Sequence, residues 1–496
     1  MENKRKYITK SGFMKGTQCE LAFYNWWNKI GETHSKGTEV RMEEGTEIGI
    51  LAQGLCPGGV DLNLLNLPPW EMAAKTISII GSAVPIYEAT FLTSSKPNLM
   101  CKVDILVPDK KGWKIWEVKA TTSVKEEHIL DLAFQAFVAK QCGIKITEIA
   151  LVHLNKEYLR SGALNIRKLF IVEDVTTDVL SVMAGIKLQI DQMYINGTLQ
   201  QALIKKIGAH CNAPYPCGYQ DICWSNFPER DSILTIPRFG KKSIEYFDAG
   251  LYLLSDIDPE ILTEKQLLVW ESHIQKTIIN EKKLIRSFLK ASSYPQYFLD
   301  FETISPAAPI WDNTRPYQQI PFQYSLHIIR KPNGEPEHHE FLDDASGADP
   351  RPALCEKLIQ DLGNTGTIWT FNQSFESSRI QELAAAFPEH AFKLENIINR
   401  LNDLIIPFRN LWYYNPEMQG SSSIKKVLPV LVPELSYENL TIGDGASAME
   451  IFLQLVKKDP EILKDKEEIL RNLLAYCKMD TWAMVKIREK LLTETQ

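Results

Sequence analysis

Three sets of side chains in this chain have types and spacings suited to chemistry on metals or phosphates. The first is Asp104, then Glu117-Val118-Lys119 after an interval of twelve residues. The segment 103–121 reads as two strands joined by a charged, glycine-containing turn. Strand side chains alternate faces, so Glu117 and Lys119 share one face while Trp116 and Val118 share the other. Two carboxylates hold a divalent cation through oxygen. A neighbouring lysine orients a water or neutralises charge building on a phosphoryl group. The competing reading is a solvated hairpin with ordinary surface charges.

The second set begins at Tyr297-Phe-Leu-Asp300-Phe-Glu302-Thr, an apolar strand interrupted by two acids. Period two puts Asp300 and Glu302 on one face. Burying them is costly unless they bind metal or are paired. Tyr297, Leu299 and Phe301 on the other face predict a central strand rather than a surface edge. Asn372 and Glu376 follow a later strand and open a helix. Tyr476 and Asp480 arrive on a last helix as i, i+4 neighbours, beside an apolar stripe of Leu470, Leu473, Leu474 and Cys477.

The third set is Cys19 with Cys211, Cys217 and Cys223. The last three lie in a proline-rich segment without periodicity, which a clamp would order. Structural zinc sites usually space close cysteines two to four apart. Iron–sulfur clusters also use four thiolates and tolerate looser spacing. Unrelated buried thiols are the alternative.

The elements that must position these groups follow from pattern. Residues 128–143 carry Leu130, Ala133, Phe134, Phe137 and Val138 at helical spacing. Gln135 falls off that stripe, either near the first site or on the surface. A buried strand over 149–154 completes a βαβ-like pattern. Upstream, Gly45-Thr46-Glu47 lies on an expected helix with Glu43 and Glu44, and Tyr87-Glu88-Ala89 on a strand. Further on, strands at 322–329 and 338–342 flank a Pro-Asn-Gly turn. A helix at 354–362 and a strand at 367–371 come next. Between the two halves, 257–268 and 277–289 read as apolar helical runs carrying Lys265, Lys282, Lys283 and Arg286.

These motifs carry two resemblances. Asp104 with Glu117-Val118-Lys119 resembles the PD-(D/E)XK nuclease signature in its RecB-like branch. There Glu88 and Gln135 are implied near the metal. Bracketing by four cysteines resembles the iron–sulfur nucleases of the CRISPR-adaptation and AddB kinds, implying a 4Fe-4S cluster, with zinc as the alternative. The chain departs from that pattern at Gly49, where a metal-binding histidine is usual. Asp300 and Glu302, then Asn372 and Glu376, then Tyr476 and Asp480 resemble, in that order, the DEDDy branch of RNase H-like exonucleases, with Glu376 where aspartate is usual. Arg400, Asp403, Lys425 and Lys426 also match segments of that branch. Asp403 is expected to support the site and the lysines to contact phosphate, unless they are surface charges.

The pair resembles a bacterial family fusing two such domains. It implies an α/β fold of two nuclease-like domains with mixed sheets, restriction-endonuclease-like then RNase H-like. The expected limits are 1–227 and 291–496, joined by a helical segment at 228–290 in which Arg238-Phe-Gly faintly resembles a helix–hairpin–helix. It implies a metal-dependent nuclease using Mg²⁺ or Mn²⁺, with 3'-5' exonuclease action in the second half, on nucleic acid, DNA ahead of RNA. The alternative is a nucleic-acid-binding or scaffold protein with one or both sites degenerate.

Bulk properties fit. A length of 496 residues predicts two or three cores. Hydrophobic content of 44% and charged content of 24% are globular values. Residues 1–10 are charged, with no apolar signal core behind them, and no apolar run approaches membrane-spanning length. Nine cysteines make no disulfide framework over this length, so a cytoplasmic, reduced protein is expected. A net charge of −7 argues against a nonspecific basic coat but leaves room for local basic patches. Lys4, Arg5, Lys6, Lys10 and Lys15 form one such candidate.

Overall fold

In a computed structural model, the chain is described over residues 6–33, 36–438 and 440–495. Lys4 and Arg5 of the basic entry segment lie outside these. The fold is α/β with mixed sheets, in two units. The first comprises 1–226 with 307–317, the second 227–306 with 318–496. The segment 228–290 therefore packs as part of the second unit, not as a separate joining element. Pro259 and two single 3-10 turns, Leu254–Asp256 and Pro259–Ile261, break the helical run expected at 257–268. Helices Glu264–Gln275 and Lys282–Lys290 flank a short strand, Ile279–Asn280.

The first unit is built on a seven-stranded sheet. Its main path runs Val60–Asp61, Ile86–Leu92, Leu99–Asp109, Gly112–Lys119, Ile146–Leu154 and Phe170–Asp174, with Ile8–Thr9 pairing the third. The Asp104 and Glu117 strands are antiparallel neighbours, and the next pairing is parallel. The strict alternation of the sequence reading breaks at the site. Leu99, Cys101 and Val103 enter one core, Ile105 the opposite one, and Leu106 the first again. Across from Asp104 in the register, Glu88 has φ +58°, and Ile86 and Ala89 on either side share a core. Both strands therefore change phase together where the acids sit. The ladder between the Asp104 and Glu117 strands pairs Asp109 with Gly112 back to Ile105 with Trp116. Beyond it, Asp104 Oδ2 accepts from the Val118 amide at 2.8 Å.

Helix Glu126–Gln141 covers one face, burying Leu132, Ala133, Phe134, Ala136 and Val138. Phe134 stacks on Phe13 of helix Lys10–Gln18, ring centroids 4.8 Å apart. Gly12 permits this helix to meet its neighbour Glu20–Trp27, since a Cβ there would lie 2.3 Å from the Trp26 ring.

The second unit has a five-stranded sheet in the order Glu337–Leu342, Ile320–Ile329, Gln296–Ile304, Thr367–Thr370, Leu401–Asp403. The Asp300 strand is thus central, as its apolar pattern predicts. Tyr297, Leu299 and Phe301 enter a core with helices Arg351–Leu362, Ser374–Ala386 and Ala391–Asn399. Asp300 and Glu302 face the other way. On that side lies helix Lys466–Glu494, about 44 Å long at 1.5 Å per residue. Gln323 and Ser325, register partners of Glu302 and Asp300, bond to Leu473 O at 2.9 Å and Thr481 Oγ1 at 2.7 Å of this helix. Its buried stripe includes Leu473, Cys477, Met484, Ile487 and Leu491. Tyr476 and Asp480 interrupt that stripe opposite the acids. Among the described residues, no helix is long and apolar enough to cross a membrane.

Candidate functional site

In the second unit, Asp300, Glu302, Tyr476 and Asp480 line one cavity with Phe301, Phe371, Ile424, Lys425 and Met484. Asp300, Glu302 and Cys477 each place one ligand atom within 4.8 Å of the others. Glu302, Glu376 and Asp480 are buried. Burial, with repulsion from Asp480, Glu302 and Glu376, raises the Asp300 carboxyl far above its ordinary value. Burial and Asp480 push Glu302 up to about 8. Burial does the same for Glu376, with Asp403 adding to it. Asp480 rises less, to about 6, because burial is opposed by Tyr437, Lys425 and Tyr476. Tyr437 donates to Asp480 Oδ1 at 2.7 Å. At an effective dielectric near 20, two carboxylates about 5 Å apart repel by about 3 kcal/mol. Such a group does not fully ionise without a cation.

The residues fit a divalent cation. Asp300, Glu302 and Asp480 present oxygens to the cavity, and Glu376 Oε2 is buried without a partner among the described residues. Mg²⁺ and Mn²⁺ take oxygen donors. The thiol of Cys477 lies 3.8 Å from Asp300 Oδ2 and is raised by burial and the acids beside it. The apolar-stripe reading of Cys477 places the residue correctly but misses this contact. Tyr437 and the Asp444–Gly445 turn also escape the sequence reading. A Cβ on Gly445 would lie 3.5 Å from Glu302 Oε2. Only an aromatic beside a glycine-rich turn could have signalled them. Asp403 is buried, not a surface charge: Oδ1 accepts from the amides of Asn372 at 2.9 Å and Ile405 at 3.1 Å. It thereby fixes Asn372, at φ +93°, ahead of the Glu376 helix. Lys425 donates to Gly443 O at 2.7 Å while lining the cavity, and both it and Lys426 are exposed. Arg400 caps Leu362, Gly363 and Gly366 carbonyls and plays a structural part.

The first unit brings Asp104, Glu117 and Lys119 together with Lys10, Asp131 and Gln135. Lys10 and Lys119 each donate to Glu117 Oε1 at 2.7 Å. Gln135 donates to Glu117 Oε2 at 2.7 Å and Asp131 Oδ1 at 2.9 Å. Gln135 is therefore a fully buried bridge, not a surface residue. Lys119 also bonds Asp131 Oδ2 at 2.7 Å. Burial alone raises Glu117, but the two ammoniums hold it below the usual carboxylate range. Burial and Glu117 push Asp104 up to about 8 against the pull of Lys10 and Lys119. Glu88 is raised by burial, with Lys102 and Lys10 opposing. Glu43 and Glu47 are exposed, and Glu44 Oε1 accepts from the Ala307 amide at 2.8 Å. Among the described residues none of these three forms a metal-binding group with Asp104. A Cβ on Gly49 would meet open space.

Cys19, Cys211, Cys217 and Cys223 line one cavity with Ile207, His210, Tyr219 and Gln220. Gln18 ties the cysteine loop to the first helices by donating to His210 O at 2.8 Å and Tyr215 O at 2.7 Å. Thr33 adds a bond to Gly218 O at 2.9 Å. No three of these sulfurs lie within 4.8 Å of one another. A tetrahedral zinc with bonds near 2.3 Å needs sulfurs about 3.8 Å apart. Four thiols around one cavity are a donor set that both zinc and iron–sulfur clusters use.

A family model described as a domain of unknown function, DUF2779, matches residues 297–423. That span holds Asp300, Glu302, Glu376 and Asp403. The chain is 26% identical over 311 residues to the uncharacterized protein UU173 of Ureaplasma parvum, covering 56% of this chain and 41% of that protein. It is 29% identical over 243 residues to the uncharacterized protein MG366 of Mycoplasma genitalium, covering 45% and 35%. The chain thus spans less than half the length of these relatives.

The raised carboxyls set a pH dependence. Unfolded, they titrate near 4; folded, Glu302 and Glu376 hold protons to about 8 and Asp480 to about 6. The folded chain binds more protons in between, so stability present at low pH is lost as pH rises through about 6 to 8. In chelator, Tm should fall from about pH 5 to about pH 8.5, and Asp480→Asn should shallow the fall. A flat profile, or the same slope in Asp480→Asn, would contradict these assignments.

Proposed function

We propose that the protein is a metal-dependent nuclease hydrolysing phosphodiester bonds, with its principal active site at Asp300, Glu302, Glu376 and Asp480. One observation carries this reading. Three buried carboxylates, Glu302, Glu376 and Asp480, lie within electrostatic reach of Asp300, and Lys425 and Arg379 offset them only in part, an arrangement whose cost a divalent cation relieves. Mg²⁺ or Mn²⁺ held there would supply Lewis acidity and lower the pKa of a bound water. The chain's own residues do the rest. The Tyr476 hydroxyl, beside Asp480 and Glu302, orients the attacking water. Lys425 lowers Asp480 and Glu302 and faces the same cavity, where it offsets negative charge on the phosphoryl group. Resemblance to the DEDDy exonucleases adds exonuclease polarity and DNA ahead of RNA.

In the first unit, the RecB-like resemblance supports a second phosphodiesterase site at Asp104, Glu117 and Lys119. A specific observation favours a non-cleaving, nucleic-acid-binding role there instead. Both Glu117 oxygens are already held, by Lys10 and Lys119 on one side and Gln135 on the other, so a metal competes with an ammonium or with the Gln135 amide. The four-cysteine cavity is proposed to hold a 4Fe-4S cluster with a structural role.

Purified protein with Mn²⁺ and end-labelled DNA or RNA strands should shorten them. Tyr476→Phe should slow this by about 10²-fold, the scale of a lost positioning group. Asp300→Ala should abolish it, with folding in chelator intact. Cleavage by Asp300→Ala equal to wild type, with Lys119→Ala also present, would sink the assignment.

Protein purified without oxygen should be brown and contain iron and sulfide, and Cys217→Ser should bleach it. Stoichiometric zinc with neither iron nor sulfide would refute the cluster.

A further inference from the structure

The second unit carries a groove that the acid cluster does not explain. It is lined by Arg238, Lys265 and Arg409 and by the polar groups of Thr263, Gln266, Asn410, Ser421 and Ser422. In a chain of 62 acidic and 55 basic residues, this lining holds, among the described residues, three cations and no carboxylate. Its volume is about 620 Å³, against about 170 Å³ for the acid cavity.

The groove leads toward the acids. Ser421 and Ser422 line it, and Ile424 and Lys425 of the same segment line the acid cavity. On another wall, Phe408 of the groove lies 6.2 Å, ring to ring, from Phe371 of the acid cavity. Arg409 Nη2 donates to Asn372 Oδ1 at 3.3 Å, and Nη1 lies 3.8 Å from Asp403 Oδ2.

The walls are held in place. Arg238 has φ +53° and Leu411 φ +57°, conformations rare for such residues and concentrated where function imposes them. Gln266 pins the first by donating to Pro237 O at 2.9 Å and Arg238 O at 3.4 Å. Tyr414 is fixed from beneath by His273 Nε2 at 2.7 Å, itself held by Asp231 at 2.6 Å. The groove's aromatics, Phe408 and Tyr414, are buried, so no exposed ring is offered for base stacking. Cations with amide and hydroxyl groups suit phosphates and sugars instead.

We propose that this groove binds the sugar–phosphate backbone of single-stranded nucleic acid, independently of sequence, and delivers the strand to the Asp300 cavity. Arg238 and Lys265, from the segment between the two expected nuclease-like domains, extend the cleft of the second. The inference rests on the nuclease reading for its direction but is testable without cleavage.

The test is anisotropy of a labelled single-stranded oligonucleotide with full-length protein in chelator, across salt concentrations. Arg238→Gln with Lys265→Gln should weaken binding on the order of tenfold and lower the salt slope by about 1.4, at about 0.7 per phosphate contact. The exposed pair Lys331→Gln with Lys393→Gln, outside the groove, should change neither. Inorganic phosphate at constant ionic strength should compete weakly. Wild-type affinity in the groove variant, no binding by wild type, or an equal loss in the outside pair would overturn the proposal. Full displacement by phosphate would make it a small-anion site and equally overturn it. Separately, Mn²⁺-dependent cleavage by wild type and Asp300→Ala reports on the nuclease reading. A groove effect without cleavage sinks only the latter, and cleavage without a groove effect sinks only the former.

Discussion

The second unit is organised around a debt of charge. Asp300, Glu302, Glu376 and Asp480 come within electrostatic reach of one another in the second unit, and Lys425 lines the cavity of Asp300, Glu302 and Asp480. Folding brings them there because each is carried by an element with its own reason to be buried. The Asp300 strand is central and apolar on its other face. The Asp480 helix needs its stripe against that sheet. The acids ride along, and their repulsion is met by protonation in the absence of cation. Stability is thereby traded for a site, the usual direction of that exchange at functional positions.

The first unit has a similar inventory and the opposite electrostatics. Two ammoniums, Lys10 and Lys119, face Glu117 and Asp131, and Gln135 bridges the carboxylates. The Glu117 and Asp131 carboxylates are partnered as they stand, while Gln135 Oε1 is buried without a partner among the described residues. Breaking one partner would leave a buried charge exposed to its full desolvation cost, so this network holds Lys10–Gln18, the sheet and Glu126–Gln141 together. The same residues can serve phosphate chemistry only if a metal outcompetes those bonds.

Much of this was legible in the sequence. The Asp300 strand, its central place and the shared face of its acids follow from period two. The Tyr476 and Asp480 pairing follows from helical spacing, and the proximity of Cys211, Cys217 and Cys223 follows from their clustering in an irregular segment, whereas Cys19 joins them only through the family resemblance. The rest depended on contacts that no local period encodes. Glu88 and Asp104 face each other where two strands change phase together, which alternation misses. Asp131 was invisible because a lone acid on an amphipathic helix looks like solvent-facing charge. Gln135 lies off the strongest apolar stripe yet is buried, because the helix is covered on more than one side. The helical run at 257–268 failed at Pro259, a local signal outweighed in reading by the surrounding apolar residues.

The most direct test of the charge argument is calorimetric titration of Mn²⁺ into metal-free protein near pH 7, in two buffers of different ionisation enthalpy. A cation entering a site whose carboxyls hold protons must expel them. The account predicts Mn²⁺ binding with net proton release, both lost in Asp300→Asn. Binding without proton release, or no Mn²⁺ binding by wild type, would contradict it.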